Sequence, residues 1–488
     1  MKRSLLIVSV LVMATAFSAS GQQGDRLSLG LYMPFDFSGG GARALGMGGA
    51  FYGVSDDVSA GTWNPAGLTA QEAPVMALSF GGLIGAGQAD LSVAGNPRTF
   101  RRDIDGSLES VSDAIFVAPL RLRGHPFVGA ISYTKRFDGL SNYGFETTVT
   151  ESILTIRQNI LQYEAFDFNV DLRSVAEGAV RSINIGFGTR VYGNTSMGLT
   201  ANIYTGESVT TQVNDAMLAD FPYPPYEQSV RIDVSSEVID TSKFSGVNFT
   251  LGFKHAGERM NAGLVIKTPF DLEVETGSST YIIRSVNTLP TEEGTDTTFI
   301  DNQVVKYGMP LMVGAGVGYS LTDNLILAMD AEYRGFGSSR IKEREVLEIT
   351  PGGNINEVFS EYDPEWNSGV ALHFGGEYRL NKSFGMIPLR AGVGFIPTPR
   401  PSLADTDTPT MNYVLPSLVL SPVAKLLNKD DTPLLYSVSL GTGIHWSQIR
   451  LDWAYSYSQV DRDLSDATGQ FLLQNRDHHV SFTFTGIF

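Results

Sequence analysis

The sequence has no cysteine and only six histidines among its 488 residues. The first absence excludes a disulfide framework, a thiol nucleophile and a Cys-ligated zinc or iron–sulfur site. The second, with no H-E-x-x-H pair and no G-x-S-x-G elbow, leaves no coherent nucleophile or metal constellation. The reading is therefore of a protein that is not an enzyme and carries no cofactor. Charge is scarce as well, at 18% of residues, and it leans acidic: 52 Asp+Glu stand against 35 Lys+Arg, a formal net charge of −17. Binding a phosphate backbone calls for the opposite balance, so nucleic acid is excluded as a partner. Beyond the N-terminus no run of about 18 apolar residues could cross a membrane as a helix. The most apolar stretch, residues 413–427, is broken by Pro416 and Pro422.

What is abundant is glycine, 52 residues, together with 10% aromatics. That composition suits an all-β protein with many small-residue positions. The N-terminus reads as a secretory signal. Lys2 and Arg3 precede an apolar stretch over 5–17, and Ser18-Ala19-Ser20 supplies small residues before Gly21.

Along the rest of the chain hydrophobicity alternates with period two. In 479–488 the apolar face is Val480, Phe482, Phe484 and Phe488, against His479, Ser481, Thr483 and Thr485. In 448–457 Ile449, Leu451, Trp453, Tyr455 and Tyr457 oppose Gln448, Arg450, Asp452, Ala454 and Ser456. Residues 325–334 and 182–191 repeat the pattern. A tilted strand of about ten residues spans a bilayer. Large apolar faces opposite mixed Gly, Ser, Thr and charge suit lipid outside and a polar lumen inside.

Fourteen such strands are predicted, near 75–85, 114–120, 127–135, 182–191, 196–204, 245–254, 260–267, 311–320, 325–334, 368–378, 388–395, 435–445, 448–457 and 479–488. Short connections alternate with long ones over 136–181, 205–244, 268–310 and 396–433. One rim of short turns and one of long loops is the asymmetry of an outer-membrane barrel. The fold expected is an all-β transmembrane antiparallel barrel of about 14 strands with an N-terminal plug in its lumen. The divisions are 1–20 signal peptide, 21–74 hatch and 75–488 barrel.

The plug is inferred from residues 39–68, GGGARALGMGGAFYGVSDDVSAGTWNPAGL, which do not alternate. Small residues permit close backbone approach. Irregular backbone at membrane depth must be enclosed by protein or a water-filled lumen. Asp56 or Asp57 could cap a short helix, and Asn64-Pro65 signals a turn.

The pattern GARALGMGGAF (41–51), then SDD, then WNPAGL (63–68), resembles the N-terminal hatch of the FadL/TodX family of outer-membrane transporters for long-chain fatty acids and aromatic hydrocarbons. The PorV-like proteins of type IX secretion are a related branch with a similar hatch. The resemblance implies a monomeric, hatch-plugged barrel in the outer membrane of a Gram-negative bacterium, performing passive, ligand-gated uptake of a hydrophobic small molecule, a fatty acid or aromatic hydrocarbon. It also implies outer-membrane lipid, lipopolysaccharide and the barrel assembly machinery as partners, the last read from the C-terminal Phe488. Asn64, Pro65 and Ala66 match the family's Asn-Pro-Ala and carry either a gating role or the seating of the plug. The alternative is a PorV-like barrel serving protein secretion or surface attachment.

By alternation the inward cations include Arg190, Lys254, Lys267, Arg334 and Arg450, any of which could meet a ligand carboxylate. The competing expectation is that they pair with lumen acids, Arg334 with Glu332 and Arg450 with Asp452. In the long connections Ile153, Leu154, Ile156, Ile160 and Leu161 recur at roughly helical spacing, and with 413–427 they suggest either a docking groove or a lid. Trp446, Trp453, Tyr455 and Tyr457 read as interfacial girdle residues. Glu292-Glu293, Asp405-x-Asp407, Asp430-Asp431 and His478-His479 fit no metal loop and read as solvated charge and a polar strand start.

Overall fold

The computed structural model describes residues 39–93, 96–104, 111–122, 125–138, 141–157, 160–222, 229–287, 292–349, 355–364, 366–399, 434–463 and 469–488. The signal-peptide reading, 413–427, and the aspartates at 405, 407, 430 and 431 lie outside them, as do the side chains of Glu292 and Glu293.

Among the described residues, twenty strands follow the N-terminal segment. They are β1 Val75–Val93, β2 Asn96–Ile104, β3 Val111–Leu122, β4 His125–Asp138, β5 Ser141–Arg157, β6 Ile160–Tyr192, β7 Thr195–Pro222, β8 Ser229–Ala256, β9 Met260–Lys267 and β10 Phe270–Asn287. The series continues with β11 Glu292–Met309, β12 Met312–Thr322, β13 Leu325–Arg334, β14 Ile341–Ile349, β15 Ile355–Tyr362, β16 Gly369–Lys382, β17 Gly385–Pro397, β18 Leu434–His445, β19 Ile449–Asp463 and β20 Gly469–Ile487.

Fourteen of these close one antiparallel barrel in the order β1-β3-β4-β6-β7-β8-β9-β12-β13-β16-β17-β18-β19-β20 and back to β1. Each of the fourteen strands expected from alternation falls on one of them. The closing pair runs from Val75↔Ile487 to Val93↔Gly469, and the Phe488 N–H donates to the Pro74 carbonyl at 2.9 Å. Closure leaves no open strand edge, the condition for crossing lipid.

The outer wall is apolar on every strand of the ring, with Phe80, Phe116, Ile131, Ile185, Leu199, Phe249, Leu264, Val317, Met329, Tyr378, Leu389, Leu440, Trp453 and Phe482 all exposed. A water-soluble monomer does not present a continuous belt of this kind. The alternate positions point inward and are buried: Ser182 and Asn184 on β6, Asp330, Glu332 and Arg334 on β13, Thr483 and Thr485 on β20.

Where they are described, the long connections over 136–181, 205–244 and 268–310 are paired strands and not loops. Residues 141–157 and 160–176 pair as the β5–β6 hairpin, so the apolar residues at 153, 154, 156, 160 and 161 sit on extended backbone and not on a helix. The β7–β8 ladder continues to Pro222↔Ser229, and β10–β11 form a further hairpin that pairs with the upper part of β8. Here the same alternation persists past the membrane-crossing length, because each strand keeps a hydrogen-bonding neighbour. At the long-loop end an apolar cluster lies on the inward side: Tyr204 stacks on Phe270 at 4.8 Å between centroids, and Phe336 meets Trp366 edge-on at 5.9 Å, with Leu272, Met309 and Ile341 packed beside them.

Candidate functional site: the hatch and its seat

Residues 39–74 fill part of the lumen. Two short helices, α1 Ala42–Gly46 and α2 Ala60–Trp63, and a 3-10 turn over Pro65–Ala70 make up its regular structure. Between the helices Gly48 and Gly49 turn the chain with φ of 67° and 79°, a region glycine enters without steric penalty. Trp63 packs edge-on to both Phe51 and Tyr52, at 5.8 and 6.1 Å.

The seat is a belt of inward-facing wall glycines. Gly188 on β6, Gly198 on β7, Gly252 on β8, Gly263 on β9, Gly316 on β12, Gly375 on β16, Gly392 on β17 and Gly441 on β18 lie against the hatch. A Cβ at Gly198 or Gly252 would overlap Asn64 or the Pro65–Ala66 backbone, and one at Gly375 or Gly392 would overlap the backbone around Met47. Several of the glycines are cross-strand neighbours, among them Gly188↔Gly198↔Gly252, Gly263↔Gly316 and Gly375↔Gly392.

Polar contacts lock the segment in place. Asp330 Oδ2 accepts the backbone N–H groups of Phe51 and Tyr52 at 2.5 and 2.6 Å. Asn64 is fully buried. Its Oδ1 accepts the Ala66 N–H at 3.2 Å, and its Nδ2 donates to the carbonyls of Tyr52 and, on the wall, Phe253, both at 3.0 Å. Asp57, not Asp56, shapes the entry to α2: its Oδ1 accepts from the N–H and hydroxyl of Ser59 at 2.9 and 2.6 Å.

Asp56 turns to Arg43 instead. The Arg43 guanidinium also donates to Glu377 on β16, Nε to Oε2 at 2.9 Å. Glu377 in turn holds Arg379 at 2.9 Å and Arg390 at 2.8 Å; Arg390 reaches Asp452 at 2.6 Å, which His445 approaches at 2.9 Å. One ionic chain thus runs from the hatch through β16 and β17 to β18 and β19. Burial by itself would push the Asp56 carboxyl up, but Arg43 and Lys254 outweigh it and hold it below the usual carboxylate range. Burial and the adjacent Glu332 carboxylate push the Tyr52 phenol well above its ordinary value, which keeps it a hydrogen-bond donor.

The cations expected inside the lumen divide into three groups. Lys254, Lys267 and Arg334 are buried and committed to protein partners. Lys254 Nζ donates to the hatch carbonyls of Val54, at 3.0 Å, and Ser55. Lys267 Nζ lies 3.1 Å from Glu332 and 3.2 Å from the Tyr52 hydroxyl, which also donates to Glu332. Arg334 pairs with Glu332 at 2.7 Å, as its spacing suggested. Arg450 borders a cavity near the short-turn rim, but Asp452 pairs with Arg390 and His445. Arg190 is exposed at the short-turn end of β6. Sequence reasoning missed Arg43, Glu377 and Arg390. Their mark was only a charged residue on an otherwise small-residue inward face.

Among the described residues, cavities lie beside the hatch toward each rim. One of about 340 Å³ lies toward the long-loop rim, bordered by Leu45, Trp63, Arg136, Arg334 and His373 among others. The other, about 390 Å³, lies toward the short-turn rim, bordered by Arg43, Asp56, Trp446, Arg450 and Ile487 among others. Pro65 and Ala66 border neither; both are buried against the wall.

Neither the protein-family models nor the curated proteins contain a match to this chain. Solved structures do. A Pseudomonas aeruginosa FadL homologue superposes with a TM-score of 0.54 at 14% identity, over 92% of this chain and 98% of that one. The CymD monoaromatic hydrocarbon channel gives 0.51 at 13%, over 93% and 99%. The toluene transporter TodX of P. putida gives 0.50 at 14%, over 93% and 99%. Across more than nine-tenths of its length the chain has the fold of these channels.

Proposed function

We propose that this hatch-plugged barrel resides in an outer membrane and admits a hydrophobic small molecule, a fatty acid or an aromatic hydrocarbon. The observation that carries the reading is the plug itself. A closed barrel with a continuous lipid-facing belt is obstructed by a segment seated on wall glycines, in a fold shared with a FadL homologue and two monoaromatic-hydrocarbon channels. At the long-loop end the approach to the lumen is built around a buried apolar cluster of Tyr204, Phe336 and Trp366, with the partly buried Phe270 packed against it. By the asymmetry of such barrels the short turns face the periplasm and residues 1–20 are the export signal; N-terminal sequencing of the mature protein should then begin at Gly21. In uptake by intact cells, expression should raise entry of labelled oleate or toluene severalfold over a strain lacking the protein. Equal uptake across a panel of lipids and aromatics would refute the reading.

A secretion-accessory role is the second reading. It draws on the length of β6, β7 and β8, at 33, 28 and 28 residues, against about ten needed to cross a bilayer. The excess forms a tall surface suited to holding a protein. Pull-down of a secreted substrate or secretion components on the full-length barrel, with unchanged hydrophobic uptake, would favour it.

A further inference from the structure

The hatch fits the barrel unevenly. On eight strands from β6 round to β18 its backbone or side chains rest on wall glycines. On β19, β20 and β1 the described inward positions include Ala454, Ser456, Thr483 and Ser79, and helix α1 packs against β19. Both cavities border β19, β20 and β1, and both extend to β16, β17 and β18. They are stacked on the same inward ladders: on β20 Ser481 borders the long-loop cavity and Thr483 the short-turn one, and on β1 Gly81 and Ser79 divide in the same way. Gly41 borders both.

The partition between them is the segment 39–42. It carries no side chain larger than a methyl group, and Gly41 has φ 101°, a backbone region that a side chain disfavours. Few bonds hold it. The Ala42 N–H donates to Thr483 Oγ1 at 2.9 Å, Thr483 Oγ1 also meets Ser79 Oγ at 2.9 Å, the Gly40 N–H reaches Thr62 Oγ1 at 3.3 Å, and Trp63 Nε1 donates to the Gly40 carbonyl at 2.9 Å. Hydroxyl and charged groups stand on both sides of the segment, Ser481, Asp113 and Arg136 in one cavity and Ser79, Thr483 and Asp452 in the other, among apolar surface, and such groups can replace part of the hydration of water, ions and small hydroxylated solutes.

We propose that residues 39–42 form a gate between the two cavities, and that through it the protein passes ions and small hydroxylated solutes across the membrane, separately from any hydrophobic ligand. When the segment swings off Thr483 the cavities join into one passage with polar groups along its length, while the glycine-seated remainder of the hatch stays in place.

The absence of cysteine makes a direct test available. The full-length Ala42→Cys/Thr483→Cys double variant, purified with its barrel fold verified by heat-modifiable gel mobility, is placed in phosphatidylcholine bilayers and liposomes. KCl conductance and arabinose-driven swelling are read before and after cross-linking, by oxidation or by a bifunctional thiol reagent of matching span. Cross-linking should lower both at least fivefold and reduction should restore them in the same sample. Thr483→Val, which frees Ala42 N–H, should raise both severalfold over the natural protein. Cross-linked protein that conducts like the reduced form would overturn the proposal, as would conductance equal to protein-free bilayers in the natural protein and Thr483→Val alike. Uptake of labelled oleate or toluene is a separate readout, so failure here and failure of the hydrophobic-uptake reading are distinguishable.

Discussion

Asn64 shows how much one buried amide can carry. As a turn residue before Pro65 it was visible in the sequence; its bond to the Phe253 carbonyl, 189 positions away, was not. Asn64→Ala removes three hydrogen bonds and leaves two buried carbonyls short of a donor. The expected loss is on the order of 2–3 kcal/mol in hatch seating. Limited proteolysis should cleave the variant within residues 39–74 while the barrel stays heat-modifiable; an equally resistant hatch would contradict this. Arg43 is the other single-residue lever. Glu377 keeps Arg379 and Arg390 when Arg43→Ala is made, so that change should cost about 2 kcal/mol. Glu377→Gln instead removes the acid that Arg43, Arg379 and Arg390 share, leaving Arg390 to Asp452 and Arg43 to Asp56, and should cost more, about 3 kcal/mol. The Asp56 arm of the clasp has a defined pH range. Its carboxyl is depressed in the folded protein, so its contribution is complete above the ordinary carboxylate pKa of about 4 and falls away as pH drops through the lower folded value. The Asp56 share of hatch protection, read as the difference between the natural protein and Asp56→Asn in hydrogen exchange of residues 42–57, should therefore be flat from about pH 5 to 8 and decline only in stronger acid.

The strands divide their two faces between different tasks, and substitutions on each should fail differently. Phe484 on β20 is exposed toward lipid, so Phe484→Arg should destabilise the barrel by about 2–4 kcal/mol if it lies near the midplane, measured by urea unfolding in bilayers. The inward glycines should leave the barrel standing and displace the hatch. Gly198→Val on β7 would drive a branched side chain into the Pro65–Ala66 backbone; the expected outcome is a folded barrel with a protease-sensitive hatch. Strand positions were legible because period two and a ten-residue crossing length are local properties. The upper parts of β5 to β8, β10 and β11 were read as loops because nothing in a single sequence says which distant segment will offer a strand a partner. Whether alternation becomes sheet depends on that partner. The metal and docking readings of the loops differ in kind: those at 405–431 fall outside the described residues, and His478 in the structure accepts or donates a bond with the Tyr455 hydroxyl at 2.7 Å.

At the level of the whole molecule the barrel and its plug are two different kinds of object. The barrel is a periodic pattern closed on itself by β1 and β20. The hatch is aperiodic and holds its place only through the inside of that closed surface. Amino-acid sequence alone determined the periodic part: the lipid-facing aromatics, the fourteen crossings, the turn-rich rim and the small-residue segment that could not be a strand. All of these follow from residue type and local spacing. Tertiary structure decided the rest. It turned dispersed glycines into one belt, because strands far apart in sequence become neighbours when the sheet closes. It spent Lys254, Lys267 and Arg334 on hatch and wall, where a sequence reading had set a lumen partner against a ligand carboxylate. It joined Arg43 to Glu377, Arg390 and Asp452 across more than 400 positions of chain, and it left cavities beside the hatch toward each rim. Pairing of charges and fit of backbone against backbone depend on distance in space, and that distance exists only once the barrel is shut.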